Sequence, residues 1–312
     1  MREVLQLNLF NKRKAVSGAD APTAKKGRRR SVLFYIMGAA FSAFFIFSAI
    51  KVTGIVSTYK KHDAVYDNLS NKYVSAAPAA SAEKPALSAA ASSAPSAAEE
   101  TAPAPEASEE ESRWLQPVNE VPPVMVDIDA VIAENPDTVG WLYAPDTRIS
   151  YPVVKGNENE YYLYRTFERV YDGFGTIYFD YRCSRDLSDP SCVIYGHNMQ
   201  NGSMFADLMK YEDPEWYKEH PALWFFTKDT TYKLVPLCGY TTWDEDIIYC
   251  GPLTLEQRDE WLDNAVKHST FKLEDESIVK KAEHVFLMST CTNRNYLEKF
   301  VLAAALVPVV NG

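Results

Sequence analysis

Residues 31–50, SVLFYIMGAAFSAFFIFSAI, form a run of 20 residues without a single charge. At ~1.5 Å rise per residue, a helix of this length crosses the ~30 Å hydrocarbon layer of a bilayer. The run predicts one transmembrane helix over residues 31–56, and no second run of this kind follows. A cleaved signal peptide would carry an apolar core of only ~7–15 residues behind a short basic region. Here the basic tail is long and the apolar run fills a membrane, so the segment reads as an anchor. Lys12, Arg13, Lys14, Lys25, Lys26, Arg28, Arg29 and Arg30 precede it. The positive-inside rule therefore keeps the tail, residues 1–30, in the cytoplasm and sends the remainder outside the cell.

Charge divides the chain at the same place. Through Lys61 there are 12 basic and two acidic residues, and beyond it 20 basic and 40 acidic, which together make the net −10 of the whole 312-residue chain. An acidic surface repels phosphate, so nucleic acid is excluded as a partner of the main domain. Residues 57–112 read as a juxtamembrane segment and a spacer. Residues 75–108 are almost wholly Ala, Ser, Pro and Glu with no aromatic side chain, a composition that cannot build a core and predicts a disordered stalk.

From about Arg113 the composition turns rich in Trp, Tyr, Phe and Val, which predicts one folded domain over residues 113–312. Short β-branched or aromatic segments bounded by turn residues predict strands at 147–154, 175–181, 192–195, 222–227, 231–240, 246–249, 284–289 and 299–307. Short helices are expected at 127–134 and 203–210. A longer one is expected at 254–268, where Thr254 and Gln257 form a capping box and Trp261, Leu262, Ala265 and Val266 share a face. The fold class that follows is mostly β, a largely antiparallel barrel with a few peripheral helices.

Five cysteines lie in this domain. Cys183 and Cys192 end one predicted strand and begin the next, and Cys238 and Cys250 flank another hairpin. Disulfides Cys183–Cys192 and Cys238–Cys250 and buried free thiols are both open on this spacing. No close Cys-x-x-Cys or paired-His spacing calls for a metal. Cys291 is left over, at the end of an apolar strand (LMSTC) and the start of a polar turn (TNRNYLE), a rigid place for a nucleophile. A thiol of pKa ~8.5 needs a base or cation nearby to act near neutrality. Among the histidines, His62 lies beside the membrane, His220 precedes Pro221, His268 ends a helix and His284 begins the Cys291 strand. His197 alone follows a short buried strand, with Gly196 expected to allow a tight turn and Asn198, Gln200 and Asn201 around it.

Tyr195-Gly196-His197-Asn198-Met199, followed by Asn201-Gly202-Ser203-Met204-Phe205, resembles the histidine motif of class B sortases, and Ser289-Thr290-Cys291 resembles the end of the sortase cysteine motif. Asn135-Pro136-Asp137-Thr138-Val139-Gly140-Trp141-Leu142, the Tyr-Pro-Val-Val within residues 149–154, and residues 159–163 are similar to the class B amino-terminal region. The 254–268 helix is similar to the additional helix of that class. The likeness runs over about residues 125–308 in order.

It implies a sortase-like closed barrel and a membrane-anchored cysteine transpeptidase that needs no cofactor. Its partners would be exported proteins bearing a C-terminal sorting signal of the Asn-Pro-x-Thr type and a peptidoglycan or pilin amine as acceptor. Cys291 would be the nucleophile, His197 the general acid and base, and Asn198, Ser289 and Thr290 would contact substrate. The family carries an arginine on the strand after the cysteine, where this chain has Lys299. Three readings follow: Lys299 substitutes, the turn residue Arg294 folds back into the site, or the domain is a weak or inactive binding scaffold. A surface cysteine endopeptidase is a further alternative that uses the same Cys and His.

Overall fold

A computed structural model describes residues 26–77, 117–295 and 297–310. The expected basic tail up to residue 25, the stalk from residue 78, the expected start of the domain at 113–116, and Tyr296 of the polar turn lie outside the described residues. The chain divides into two compact units, Met1–Thr58 and Tyr59–Gly312.

Within the first unit the described residues belong to helix α1 (Lys26–Tyr73), which is long and apolar enough to cross a membrane. Its large side chains face outward, as with Phe34 at 76% exposure and Phe45 at 70%. Thr53 and Thr58 return their hydroxyls to the carbonyls of Ala49 and Gly54, which spares those groups from an apolar surrounding.

The second unit begins inside the same helix, and here the expected boundary at residue 113 moves. Tyr66, Leu69 and Tyr73 are buried in the main core rather than forming a linker. Tyr59, His62, Tyr66, Leu69 and Tyr73 recur every three or four residues and so share one helix face. Tyr59 stacks on Phe174 with ring centroids 4.8 Å apart, and the Tyr66 hydroxyl donates to the Gly175 carbonyl at 2.9 Å. The strand β1 (Val74–Ala76) then pairs with β2 (Val124–Val126).

The remaining elements in order are α2 (Ile128–Glu134), β3 (Thr138–Tyr143), β4 (Ser150–Val154), α3 (Asn159–Leu163), β5 (Ile177–Phe179), β6 (Ser191–Tyr195), a 3-10 turn (Ala206–Glu212), α4 (Pro214–Glu219), β7 (Leu223–Phe226), β8 (Thr231–Trp243), a second 3-10 turn (Ile247–Cys250), α5 (Leu255–Lys267), α6 (Ser277–Lys281), β9 (Val285–Cys291) and β10 (Glu298–Pro308). Eight strands close a barrel in the order β10, β8, β7, β3, β4, β5, β6, β9. All neighbours are antiparallel except β4 with β5 and β6 with β9.

The barrel separates two apolar layers, and strand alternation assigns residues to them. Phe286, Met288, Phe300 and Leu302 pack in the main core. Val285, Leu287, Val301 and Ala303 pack in a second cluster, against Trp261, Leu262 and Ala265 of α5. Burial on both faces explains why β9 and β10 read as unbroken apolar runs. The α5 capping box forms as expected, with Thr254 accepting from the Gln257 N–H and Gln257 accepting in return.

Two elements differ from expectation. Where a strand is expected at residues 246–249, Ile247–Cys250 forms a 3-10 turn capped by Asp246, because the Asp246 carboxylate accepts from the Ile248 N–H, the Thr242 hydroxyl at 2.5 Å and the Trp261 indole at 3.0 Å. These bonds bend the chain back onto β8 and α5. The expected helix at 203–210 is the first 3-10 turn instead, displaced to start at Ala206. Strand β3, which lies deep in the barrel with Trp141 and Leu142 fully buried, had no counterpart among the expected strands.

All five cysteines are free thiols, so neither of the disulfides left open by the spacing, Cys183–Cys192 or Cys238–Cys250, is formed. Cys238 is buried in the second apolar cluster while Cys250 is exposed at the end of its turn, so the two point into different surroundings. Cys183 and Cys192 are both buried, the Cys192 thiol donates to the Val193 carbonyl at 3.7 Å, and burial pushes that thiol well up.

Candidate active site

The register between β9 and β10 builds the site. Lys299 lies directly across from Cys291, and Thr242 of β8 lies across from Lys299. Cross-strand partners project to the same face, so these three side chains form one row. Counting in twos from Val285 and Leu287 places Ser289 and Cys291 on the face that α5 covers further along. The cysteine thus stands where that cover ends.

The histidine arrives from a distant part of the chain through the parallel pairing of β6 with β9, which sets Tyr195 beside Ser289. The Gly196 N–H continues the ladder to the Ser289 carbonyl at 3.2 Å, and the Thr290 hydroxyl donates to the Gly196 carbonyl at 2.7 Å. Gly196 is required for close approach and not for a turn of positive φ. A Cβ there would sit 2.5 Å from the Ile177 methyl and 2.6 Å from the Phe205 ring.

Cys291, His197, Lys299, Ser289 and Thr290 line a single cleft of about 310 Å³. Tyr178, Tyr195 and Tyr249 form its aromatic walls, with Asn159, Leu163 and Asp244 at its margin. Burial pushes all three phenols up, so the walls are neutral. Burial also lowers the pKa of His197, opposed by the backbone of Leu163, which favours the protonated ring, and helped by the charge of His62. The buried Nε2 of His197 has no hydrogen-bond partner among the described residues.

The other expected residues have defined partners. The Asn198 amide donates to the Cys291 carbonyl at 2.9 Å, and the Asn293 side chain donates to the Asn198 carbonyl at 3.0 Å, so Asn198 ties the histidine loop to the end of the cysteine strand. Ser289 shares a 2.8 Å hydrogen bond with the Tyr249 hydroxyl. Arg294 turns away from the cleft: its guanidinium is half-exposed and bound by Glu212 at 2.7 Å and Glu298 at 2.8 Å.

Sequence reasoning passed over the support behind His197. His62, fully buried on α1, places Nδ1 3.0 Å from the Asp172 carboxylate. Asp63 accepts from the Asn201 amide at 2.9 and 3.0 Å and pairs with Arg148 at 3.2 Å, while Arg148 donates to the Asn201 carbonyl at 2.7 Å. The helix thus grips segments both before and after the histidine. The signal for it was the periodic stripe from Tyr59 to Tyr73.

A thiol at a strand end, a half-buried imidazole and a lysine around one cleft are the equipment of acyl transfer through a thioester. The closed barrel is that of the sortases. No family model matches the chain. Sortase B of Listeria monocytogenes is 33% identical over 167 residues, covering 53% of this chain and 67% of that protein. Sortase B of Staphylococcus aureus is 27% identical over 178 residues, covering 56% and 72%. The S. aureus sortase B–substrate complex superposes with a TM-score of 0.53 at 26% identity, covering 59% of this chain and 85% of that one. The chain belongs to the class B sortases, and is a cysteine transpeptidase in that general sense.

Proposed function

We propose that this chain cleaves a C-terminal sorting signal of the Asn-Pro-x-Thr type on exported proteins and joins the new carboxyl end to an amine of peptidoglycan or of a pilin. The observation that carries the reading is the meeting of Cys291, His197 and Lys299 in one cleft, with Lys299 directly opposite Cys291 across the β9–β10 ladder. Cys291 attacks the carbonyl after Thr as a thiolate. His197 takes the thiol proton of Cys291, passes it to the leaving amine, and later takes a proton from the incoming one; its lowered pKa suits the steps in which it accepts. Lys299 stabilises the tetrahedral oxyanion, where the family uses arginine. An ammonium supplies the charge but not the planar fork that holds two carbonyls at once. Engagement of Arg294 by two glutamates supports Lys299 over the turn arginine.

The apolar helix fits a membrane anchor. With its basic flank in the cytoplasm, the catalytic unit faces outward, where exported substrates held in the same bilayer reach the cleft.

The test is mass spectrometry of the full chain in detergent with an Asn-Pro-x-Thr peptide and candidate amines, either diaminopimelate or a lysine-bearing peptide. Conjugate identifies a transpeptidase and its acceptor, whereas hydrolysis alone in the presence of amines identifies an endopeptidase. Cys291→Ala is expected to abolish both products, and unchanged cleavage in that variant overturns the site.

A further inference from the structure

Asp180 is 1% exposed at the end of β5, yet it touches no reacting group. Its carboxylate accepts five hydrogen bonds: from the Arg182 backbone N–H at 3.0 Å, Arg182 Nε at 2.8 Å, Arg182 Nη2 at 2.7 Å, Asn159 Nδ2 at 3.0 Å and the Tyr195 hydroxyl at 2.9 Å. Arg182 Nη2 passes on to the Tyr249 carbonyl at 2.9 Å, and Tyr249 in turn meets Ser289, two residues before Cys291. Asn159, Tyr195, Tyr249 and Ser289 all line the cleft. One buried carboxylate therefore joins wall residues drawn from α3, β6, β9 and the second 3-10 turn.

The bonds also set direction. Burial pushes the Asp180 carboxyl up, but the bonds from Arg182, Asn159 and Tyr195 together outweigh it and hold the group below the usual carboxylate range, so it is ionised and can only accept. Burial and the neighbouring carboxylate push the Tyr195 phenol far up, so it keeps its proton and commits it to Asp180. Toward anything else, that hydroxyl oxygen can only accept. The Asn159 amide is pinned at both ends, since Nδ2 donates to Asp180 and Oδ1 accepts from the Tyr181 N–H at 2.9 Å. It cannot flip.

We infer that Asp180 is the positioning residue for substrate binding in this cleft: it fixes the donor and acceptor directions of Asn159 and Tyr195, so that Tyr195 reads an N–H donor of the bound peptide. This rests on the reading that the cleft receives a sorting-signal peptide. A side chain that sets recognition without joining the chemistry moves KM and leaves kcat.

The experiment uses the full chain in detergent and a fluorogenic Asn-Pro-x-Thr peptide. Asp180→Asn keeps the volume but lets the amide donate, freeing Tyr195 and Asn159 to reorient. KM is expected to rise about 10-fold with kcat within about 3-fold of the parent. The rate of Cys291 alkylation by iodoacetamide is expected to stay unchanged. Tyr195→Phe is expected to raise KM similarly, and the double variant to be no worse than the worse single one, as for two members of one network. A fall in kcat at constant KM, or effects that multiply in the double variant, overturns the inference. Should Asp180→Asn not fold, Tyr195→Phe and Asn159→Ala carry the test, and an unchanged KM in both overturns it. A parent chain that neither binds nor cleaves the peptide sinks the substrate assignment and this inference with it. Parent-like binding by Asp180→Asn sinks the inference alone.

Discussion

Removing the charge of Lys299 tests the least familiar part of this active site. Lys299 and Cys291 are direct partners in the antiparallel ladder, and such partners have Cα atoms ~4.5–5.5 Å apart. A unit positive charge about 6 Å from a developing oxyanion is worth roughly 3 kcal/mol at an effective dielectric of 20. Lys299 is only partly buried, so solvent and salt reduce this to about 1–2 kcal/mol. At 1.36 kcal/mol per tenfold, Lys299→Met, which keeps the aliphatic stem, is expected to lower kcat by about 5- to 30-fold. Lys299→Arg is expected to match or exceed the parent, since it restores the planar fork. The assay is steady-state cleavage of the peptide at two ionic strengths, with a smaller Lys299→Met deficit at the higher one. A Lys299→Met variant within twofold of the parent, or a larger loss in Arg294→Ala, refutes the reasoning, because the charge would then act from the turn or not at all.

Two further outcomes follow from the histidine and its support. Burial depresses the folded-state pKa of His197, so neutral imidazole is the form that folding favours. The corresponding stability is present above the unfolded value of ~6.5 and is lost as pH falls through the folded pKa. His197→Gln is expected to flatten the decline of the urea midpoint below about pH 6.5, and an unaltered slope contradicts the burial. Asp63→Ala removes the acceptor of both Asn201 and Arg148, with an expected loss of about 1–3 kcal/mol in urea unfolding and a reduced kcat. The same loss of stability with kcat intact separates helix docking from histidine positioning.

The parts legible in the sequence were those set by short-range chemistry. The Thr254–Gln257 capping box began α5 within a residue of the expected place, because both partners lie within one helical turn. The apolar runs of β9 and β10 announced strands, though not their burial on two faces, and Cys291 stood out as the cysteine left over at a strand end. Residues 246–249 misled, since Ile-Ile-Tyr has strong strand character and the turn depends on Trp261, 15 residues onward, donating to Asp246. Gly196 was correctly singled out but for the wrong reason: its need comes from Ile177 and Phe205, which no local reading brings near. The stripe on α1 was visible yet read as a juxtamembrane segment, because an amphipathic face does not name the surface it covers.

The sequence by itself determined the apolar helix, the strand-rich domain, the α5 helix and the two residue types suited to thioester chemistry. These follow from composition, periodicity and contacts within a few residues. Tertiary structure alone decided that Lys299 faces Cys291 while Arg294 is held by Glu212 and Glu298, that His197 is half-buried with its pKa lowered, that α1 grips the segments around it, and that the Asp180 carboxylate joins four walls of the cleft. Each of these depends on which strands become neighbours and in which register. Closure of the barrel sets that register, and a shift of one residue would turn every side chain of the site to the other face.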